Sequence, residues 1–245
     1  MKADGKGWTM HLGDCLDVMP TLGPVAYAVT DPPYGIQDEA NLRPRMDRTG
    51  KRPAVVNDWH SPSSWDASID PRWCVELARL APTIAWFGHW RKRPEVEAEM
   101  PHPLRAEIVW AKDTHVGPPC PLAMRDERIW VFGVAGITGQ TFETTVWNEP
   151  IIPTWARREH KSEKPVALMK RLVCWLTEPG AEVLDPFAGS GTTGVACLRS
   201  GRTFVGIEKE REHFDVAVAR LRAEEGQSTL AASRSGQLGL LGGVK

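Results

Sequence analysis

EVLDPFAGSGTTG, residues 182–194, combines a short apolar run with a glycine-rich turn and the first residues of a helix. Gly189 and Gly191 allow the backbone of this turn to approach a ligand closely, and free amides at a helix start attract a negatively polarised group. A phosphate-binding P-loop requires a lysine that this turn lacks, which argues against nucleotide hydrolysis. With Gly194 the G-x-G-x-x-G spacing of dinucleotide-binding turns is complete, so a nicotinamide cofactor stays open.

A second strand, predicted over 203–208, ends in Glu208, 19 residues after Gly189. A carboxylate at such a strand end can accept hydrogen bonds from both ribose hydroxyls of an adenosine-containing cofactor. Glu208 also precedes a predicted helix, where an acid interacts favourably with the helix dipole. The combination with the glycine-rich turn favours the ribose role and predicts an adenosine cofactor.

Short β-rich runs alternate with amphipathic helical segments along the chain. Apolar and β-branched stretches predict strands at 25–30, 83–88, 106–110, 128–133, 182–185 and 203–208. An early proline or a periodic apolar stripe predicts helices at 71–80, 165–176 and 210–221. This alternation predicts a mostly parallel α/β sheet.

The 245 residues are 42% hydrophobic, which is enough to bury the core of one large domain. We expect a single domain over 1–225 and a flexible tail over 226–245, because the tail is rich in Gly, Ser and Gln. The first residues are polar and no window is apolar enough to span a membrane, which predicts a cytoplasmic protein. The five cysteines are scattered and never form a C-x-x-C pair, so neither a disulfide framework nor a metal site is expected.

A net charge of −1 gives no overall attraction to nucleic acid, so binding of a polyanion requires a local patch. Between Arg43 and Arg52 there are five basic residues and one acid, in a stretch rich in Pro, Gly and Asn. We therefore consider 36–66 a candidate phosphate-contacting loop. A solvated loop without ligand is an equal alternative.

The stretch TDPPYG ends the first predicted strand. Ligands of open parallel sheets bind beyond the carboxyl ends of the strands, so we expect this stretch to line the same crevice as the glycine-rich turn. Proline lacks a backbone N–H, and the pair Pro32-Pro33 leaves carbonyl oxygens without a neighbouring amide. Asp31 and the Pro32 carbonyl then offer two acceptors to one amino group, and Tyr34 offers a stacking face. These residues predict a receptor for a planar ring that bears an amino group.

Two motifs resemble those of the exocyclic-amino DNA methyltransferases, which use S-adenosylmethionine as methyl donor. Asp31-Pro-Pro-Tyr34 is similar to the family's catalytic motif, and Asp185-Pro-Phe-Ala-Gly-Ser-Gly-Thr-Thr193 to its cofactor motif. The catalytic motif comes first, as in the permuted beta class. Gly13-Asp-Cys-Leu16 and His160-Lys-Ser-Glu-Lys-Pro165 fit the order of the same class. The resemblance runs from about residue 8 to residue 222.

This resemblance implies a Rossmann-like methyltransferase sheet with a circularly permuted motif order, and it implies roles for single residues. Asp31, Pro32, Pro33 and Tyr34 are the implied catalytic residues. The implied cofactor contacts are Asp14, Cys15, Ser162, Lys164, Pro165, Asp185, Phe187, Gly189, Gly191, Thr192 and Glu208. A small DNA-recognition region is expected within 111–160.

The implied substrate is double-stranded DNA with the target base flipped out of the helix, and the implied activity is a site-specific methylation of the kind found in restriction-modification systems. Aspartate at position 31 resembles the adenine-N6 enzymes more than the cytosine-N4 enzymes, so adenine is the prediction. Cytosine N4, an RNA substrate and a nicotinamide-dependent oxidoreductase remain alternatives. A homodimer is a further interpretation. Gln237-Leu-Gly-Leu-Leu241 resembles the short peptides that bind the bacterial sliding clamp, although a tail with some leucines is the more frequent explanation.

Overall fold

One nine-stranded sheet organises the part of the chain that the structure describes. The computed structural model describes residues 1–35, 68–113, 125–134, 143–152 and 163–241, with side chains up to residue 226. Its strands are β1 (Lys2–Gly5), β2 (Trp8–Leu12), β3 (Tyr27–Thr30), β4 (Thr83–Gly88), β5 (Leu104–Ala111), β6 (Asp126–Gly133), β7 (Val146–Asn148), β8 (Glu182–Asp185) and β9 (Thr203–Glu208). Within the sheet they stand in the order β1-β2-β9-β8-β3-β4-β6-β5-β7. Five of the eight pairings are parallel, as the mostly parallel prediction requires.

Helices cover both faces of this sheet. They are α1 (Cys15–Val18), α2 (Pro71–Leu80), α3 (Arg93–Glu99), α4 (Val166–Leu176), α5 (Thr192–Arg199) and α6 (Arg211–Leu241). The buried residues of α4, α5 and α6 form one hydrophobic core, and those of α2 and α3 form a second core on the opposite face. Strand β4 contributes side chains to both cores, because Phe87 lies in the first core and Trp86 in the second. A strand that is buried on both faces has apolar residues at successive positions. This pattern predicted β4.

The two motifs singled out in the sequence follow neighbouring strands. Strand β3 pairs in parallel with β8, with Tyr27 opposite Val183 and Ala28 opposite Leu184. Parallel neighbours end at the same edge of the sheet, so Asp31 and the glycine-rich turn lie at one edge. Strands β2 and β9 are also parallel and carry Leu12 and Glu208 to that edge. We call it the active edge.

Strand β6 runs in the opposite direction to its neighbours. It pairs antiparallel with both β4 and β5, and Gly88 at the end of β4 stands opposite Arg128 near the start of β6. The start of β6, including Glu127, is thereby placed at the active edge together with the ends of the parallel strands. The expected recognition region 111–160 contains β6 and β7, so its described residues 126–133 and 146–148 are part of the main sheet.

Strong sequence patterns gave accurate element bounds, and weak ones did not. The bounds of β4, β8, β9 and α2 agree with the prediction, whereas β1, β2, β7, α1 and α3 were not predicted because they are short and mixed in polarity. The last helix is longer than predicted. We expected it to end at 221, but α6 continues to Leu241. No proline interrupts this segment, and extending an existing helix is far easier than starting one.

None of the helices within the described ranges is both long and apolar enough to cross a membrane. Several predicted features lie outside the described residues: the candidate loop 36–66, most of the connections in 111–160, Ser162, and the side chains of Gln237-Leu241.

Candidate active site

Asp185 organises the glycine-rich turn from inside the fold. The residue is 2% exposed, and its carboxylate accepts hydrogen bonds from Thr30 Oγ1 at 3.0 Å, Thr193 Oγ1 at 2.6 Å and the Phe187 amide at 3.1 Å. One side chain therefore joins the end of β3, the turn and α5. The resemblance implied a cofactor contact for Asp185. Because the side chain points into the interior, we propose that it positions the turn and the neighbouring Asp31.

Burial raises the pKa of Asp185 to about 7, because desolvation of the charged carboxylate outweighs its hydrogen bonds from Thr193, Phe187 and Thr30. The charge of nearby Asp31 acts in the same direction. The folded state thus binds a proton that the unfolded chain releases above its ordinary pKa of 3.8. The resulting stabilisation is complete below that pKa and is lost as the pH rises through about 7.

We expect Asp185→Asn to remove this pH dependence, because asparagine is a neutral isostere of the protonated acid. Relative to the variant, the wild type should lose free energy of unfolding by up to about 1.4 kcal/mol per pH unit between the two pKa values. Urea unfolding of both proteins at several pH values between 3.8 and about 7 measures this difference in the free energy of unfolding. A difference that stays constant with pH contradicts the raised pKa.

The outer side of the turn is open and lined by backbone amides and one carboxylate. Gly191 has φ +78° and begins α5 as its N-cap, and Gly189 has φ +51°. A Cβ added to Gly189 meets nothing within 4 Å, so space for a ligand lies directly above this residue. The Gly189 amide donates to Glu208 Oε2 at 2.8 Å, and the Glu210 amide donates to Glu208 Oε1 at 2.7 Å. The predicted ribose acid thus borders the predicted turn.

The segment after β2 completes this half of the site. Gly13 donates its amide hydrogen to the Glu208 carbonyl at 2.9 Å, which places Asp14 and Cys15 next to the predicted ribose acid. Asp14 caps α1 by accepting an amide hydrogen bond at 3.0 Å and pairs with Lys209 at 3.1 Å. Cys15 is buried, and burial raises the pKa of its thiol to about 12, so the side chain is neutral. An open glycine face with carboxylates beside it fits an adenosine cofactor.

A second cluster surrounds Asp31. Lys164 Nζ lies 2.6 Å from Asp31 Oδ2, 3.1 Å from Tyr34 Oη and 3.3 Å from Glu127 Oε2. The Tyr34 hydroxyl lies 2.8 Å from Asp31 Oδ1 and 3.0 Å from Glu127 Oε2, so its single hydrogen can be donated to either carboxylate. Lys112 Nζ contacts Glu127 Oε1 at 2.5 Å. We call these five residues the charged cluster.

Burial and charge act differently on the two carboxylates of the charged cluster. Desolvation raises the pKa of Asp31, and the charge of Glu127 adds to this increase while Lys164 opposes it. Desolvation also acts to raise the pKa of Glu127, but Lys164 and Lys112 outweigh it and lower this pKa to about 2. Burial and the two carboxylates raise the pKa of Tyr34 well above its ordinary value. Glu127 is therefore ionised, and Tyr34 keeps its proton.

Pro32 and Pro33 shape the backbone beside Asp31. Pro32 is buried and Pro33 is partly exposed. Within the described ranges, no hydrogen bond reaches the Pro32 carbonyl oxygen, which is the second acceptor that the sequence predicted. Two acceptors therefore stand at the tip of β3.

Consecutive residues before α4 connect the two halves of the site. Glu163 lies 2.8 Å from Arg220 and accepts a hydrogen bond from Thr192 Oγ1 at 3.3 Å, behind the glycine-rich turn. Lys164, the next residue, reaches the charged cluster, and Pro165 is the N-cap of α4. The resemblance implied a cofactor contact for Lys164, whose ammonium lies against Asp31 in this structure.

Sequence reasoning missed Glu127 and Lys112. Lys112 follows the strand predicted at 106–110, and Glu127 precedes the strand predicted at 128–133. The antiparallel direction of β6 brings Glu127 to the active edge. Sequence reasoning also missed Trp73, whose ring packs edge-on against Phe187 at a centroid distance of 4.8 Å. Charged residues bordering a predicted strand were the available signal for Glu127, and they do not reveal strand direction.

Fold and site together define an α/β protein in which an open glycine-rich turn and a charged cluster lie at one edge of the sheet. The DNA methylase family model matches residues 58–219, about two thirds of the chain. The chain therefore belongs to this family of N6 and N4 DNA methyltransferases.

Individual relatives agree with this assignment. The type II methyltransferase M2.DpnII of Streptococcus pneumoniae is 45% identical over 73 residues, which are 30% of this chain and 27% of that protein. The crystal structure of the M1.HpyAVI-SAM complex has a TM-score of 0.64 at 22% identity and covers 87% of this chain and 98% of its own. The cytosine-N4-specific PvuII DNA methyltransferase has a TM-score of 0.64 at 15% identity, covering 88% and 86%. The two structures show the same fold.

Proposed function

We propose that this protein transfers a methyl group from S-adenosylmethionine to the N6 amino group of adenine in DNA. The observation that carries the proposal is the hydrogen bond from Thr30 Oγ1 to Asp185. It joins the residue before Asp31 to the residue that begins the open glycine-rich turn, so the two lie side by side. An amino group bound at Asp31 and a cofactor bound over Gly189 then meet at one edge of the sheet. The family match argues against the nicotinamide-dependent alternative.

Asp31 and Pro32 perform the part of the reaction that belongs to the protein. An adenine amino nitrogen is a poor nucleophile because its lone pair is delocalised into the ring. Two acceptors that take both of its hydrogens favour a tetrahedral nitrogen with an available lone pair, and the Asp31 carboxylate stabilises the positive charge that develops there. S-adenosylmethionine supplies an activated methyl group on a sulfonium. The protein accelerates transfer chiefly by alignment, which requires no covalent enzyme intermediate.

Cytosine N4 is the second candidate, because a cytosine-N4-specific enzyme shares the fold and presents the same kind of amino group. Aspartate at position 31 favours adenine. Incubation of the protein with duplex DNA and labelled S-adenosylmethionine, followed by digestion to nucleosides and mass spectrometry, distinguishes the two products. N6-methyl-2′-deoxyadenosine supports the proposal, and N4-methyl-2′-deoxycytidine as the sole product contradicts the choice of base. A competing RNA that removes the label from DNA contradicts the choice of nucleic acid.

The active edge also carries an exposed aromatic side chain. Trp90 follows β4 and is 53% exposed, with the Arg91 guanidinium 5.3 Å from its ring centroid and the His89 ring 5.8 Å away. Among the described carboxylates, none forms an ion pair with Arg91. Gly88, which precedes this turn, pairs with Arg128, the residue after Glu127, so the turn lies near the charged cluster. An aromatic ring can stack on a base, and a cation beside it can bind the phosphate. We therefore propose that Trp90 stacks on a DNA base near the flipped target.

We expect Trp90→Ala to weaken DNA binding by about 10-fold, because stacking of one base contributes roughly 1–3 kcal/mol. Trp90→Phe keeps an aromatic face and should retain most of the affinity. Fluorescence anisotropy with a labelled duplex measures both variants, and calorimetry with S-adenosylmethionine checks that cofactor affinity is unchanged. Equal DNA affinity of wild type and Trp90→Ala excludes the stacking role.

A further inference from the structure

The acceptors of Asp31 are occupied in this structure by the protein's own donors. Lys164 lies against Oδ2 at 2.6 Å and the Tyr34 hydroxyl against Oδ1 at 2.8 Å. A carboxylate oxygen can accept more than one hydrogen bond, so a target amino group competes with these two donors for Asp31 and weakens or replaces one of them. The displaced donor stays in a secluded site, because the Lys164 side chain is only 9% exposed, and it therefore requires a new partner.

Glu127 stands where that partner is needed. Its Oε2 lies 3.3 Å from Lys164 Nζ and 3.0 Å from the Tyr34 hydroxyl, so both donors that hold Asp31 already border a second carboxylate. The other oxygen of Glu127 is held by Lys112, whose side chain is 10% exposed. Lys112 fixes the orientation of Glu127 and leaves Oε2 directed toward Asp31's donors.

We propose that Glu127 is a positioning residue for methyl transfer, which receives Lys164 or the Tyr34 hydroxyl when the target amino group takes its place on Asp31. This inference rests on the proposed function. It assigns a task to a side chain that touches neither the target nitrogen nor the cofactor. The exchange moves hydrogen bonds only, and no covalent bond forms or breaks in it.

The charges of the cluster support this assignment. Asp31 and Glu127 balance Lys164 and Lys112, so a neutral residue at 127 leaves two ammonium groups beside one carboxylate. Lys164 then pairs with Asp31 alone, and the target amino group competes less well for its oxygens. An excess positive charge also opposes the positive charge that develops on the target nitrogen.

The test compares Glu127→Gln with Glu107→Gln. Glu107 is a matched control, since it lies on neighbouring β5 and bridges two cations, Arg93 at 2.8 Å and Arg128 at 3.2 Å. We expect Glu127→Gln to lower kcat by about 10-fold, less than the loss of a group that touches substrate, while cofactor affinity stays unchanged. Glu127→Asp keeps the charge and should recover part of the rate. Glu107→Gln should keep the wild-type kcat.

The pH profile of kcat provides a readout that a purely structural role does not move. Asp31 is faced by Lys164, Tyr34, Glu127 and, through the interior, Asp185. The charge of Glu127 raises the pKa of Asp31, so its removal should shift the acidic limb of the profile to lower pH. An unchanged limb, or equal kcat values for Glu127→Gln and wild type, overturns the proposal. If the wild type transfers no methyl group to DNA, it is the proposed function that fails instead.

Discussion

Replacing Asp31 with alanine is expected to abolish methyl transfer to DNA, with a decrease in kcat of at least about 1,000-fold. The substitution removes the carboxylate that orients the amino group and stabilises its developing charge. Cofactor affinity should not change, because the glycine-rich turn is organised by Asp185, which keeps its bonds to Thr193 and the Phe187 amide. Transfer of labelled methyl groups to duplex DNA measures the first effect, and calorimetry with S-adenosylmethionine measures the second.

The fold should tolerate Asp31→Ala, since Lys164 retains Glu127 at 3.3 Å as a partner. Asp215→Ala is a suitable control, because this exposed residue of α6 pairs only with Arg211 on its own helix at 2.8 Å among the described side chains. It should methylate DNA at the wild-type rate. Full methylation by the Asp31→Ala protein would refute the mechanism.

Replacing Gly189 with alanine is expected to weaken the binding of S-adenosylmethionine by about 50-fold, equivalent to roughly 2.3 kcal/mol. A Cβ at this position projects into the open space above the turn, where the cofactor is proposed to lie. The φ of +51° also disfavours any side chain, and relaxation of the backbone moves the amide that donates to Glu208. Calorimetry with the cofactor measures the loss.

Gly180→Ala separates the cofactor effect from backbone strain. Gly180 has φ +84° and likewise has nothing within 4 Å of an added Cβ, but it precedes β8 and lies at the opposite end of that strand. Both alanine variants should lose about 1–2 kcal/mol of stability, and only Gly189→Ala should lose cofactor affinity. Equal affinities of the two variants place the cofactor elsewhere.

Asp31→Ala and Gly189→Ala test the two halves of the site independently. The first should remove catalysis and keep cofactor binding, and the second should remove cofactor binding and keep the charged cluster. Together with the pH profile of Glu127→Gln, these variants distinguish three roles. Asp31 contacts the target amino group, Gly189 leaves space for the cofactor, and Glu127 receives a displaced donor.

Local chemistry made the fold and the two motifs predictable. An apolar run without polar interruptions indicates a strand that is buried on both faces, as for β4, and its bounds agree with the structure. The glycine spacing in 182–194 and the proline pair at 32–33 constrain the backbone through their own covalent structure. These signals act over a few residues, so a sequence displays them directly.

The end of the last helix and the edge strands were less predictable. Glycine and serine in 226–241 weaken helix propensity, yet α6 continues through them because it is already nucleated by the packed residues Phe214, Ala217 and Leu221. Strands β1, β2 and β7 are short, and their stability depends on the sheet that they join.

The sequence by itself predicted that two strands lead into motifs for an amino group and an adenosine cofactor. Only the tertiary structure decided which side chains complete them. Lys164 meets Asp31 across 133 residues. Glu127 meets Tyr34 across 93 residues because β6 runs antiparallel to β4. Strand direction follows from how the whole sheet buries its two faces, which is a property of long-range packing and leaves no local pattern in the chain.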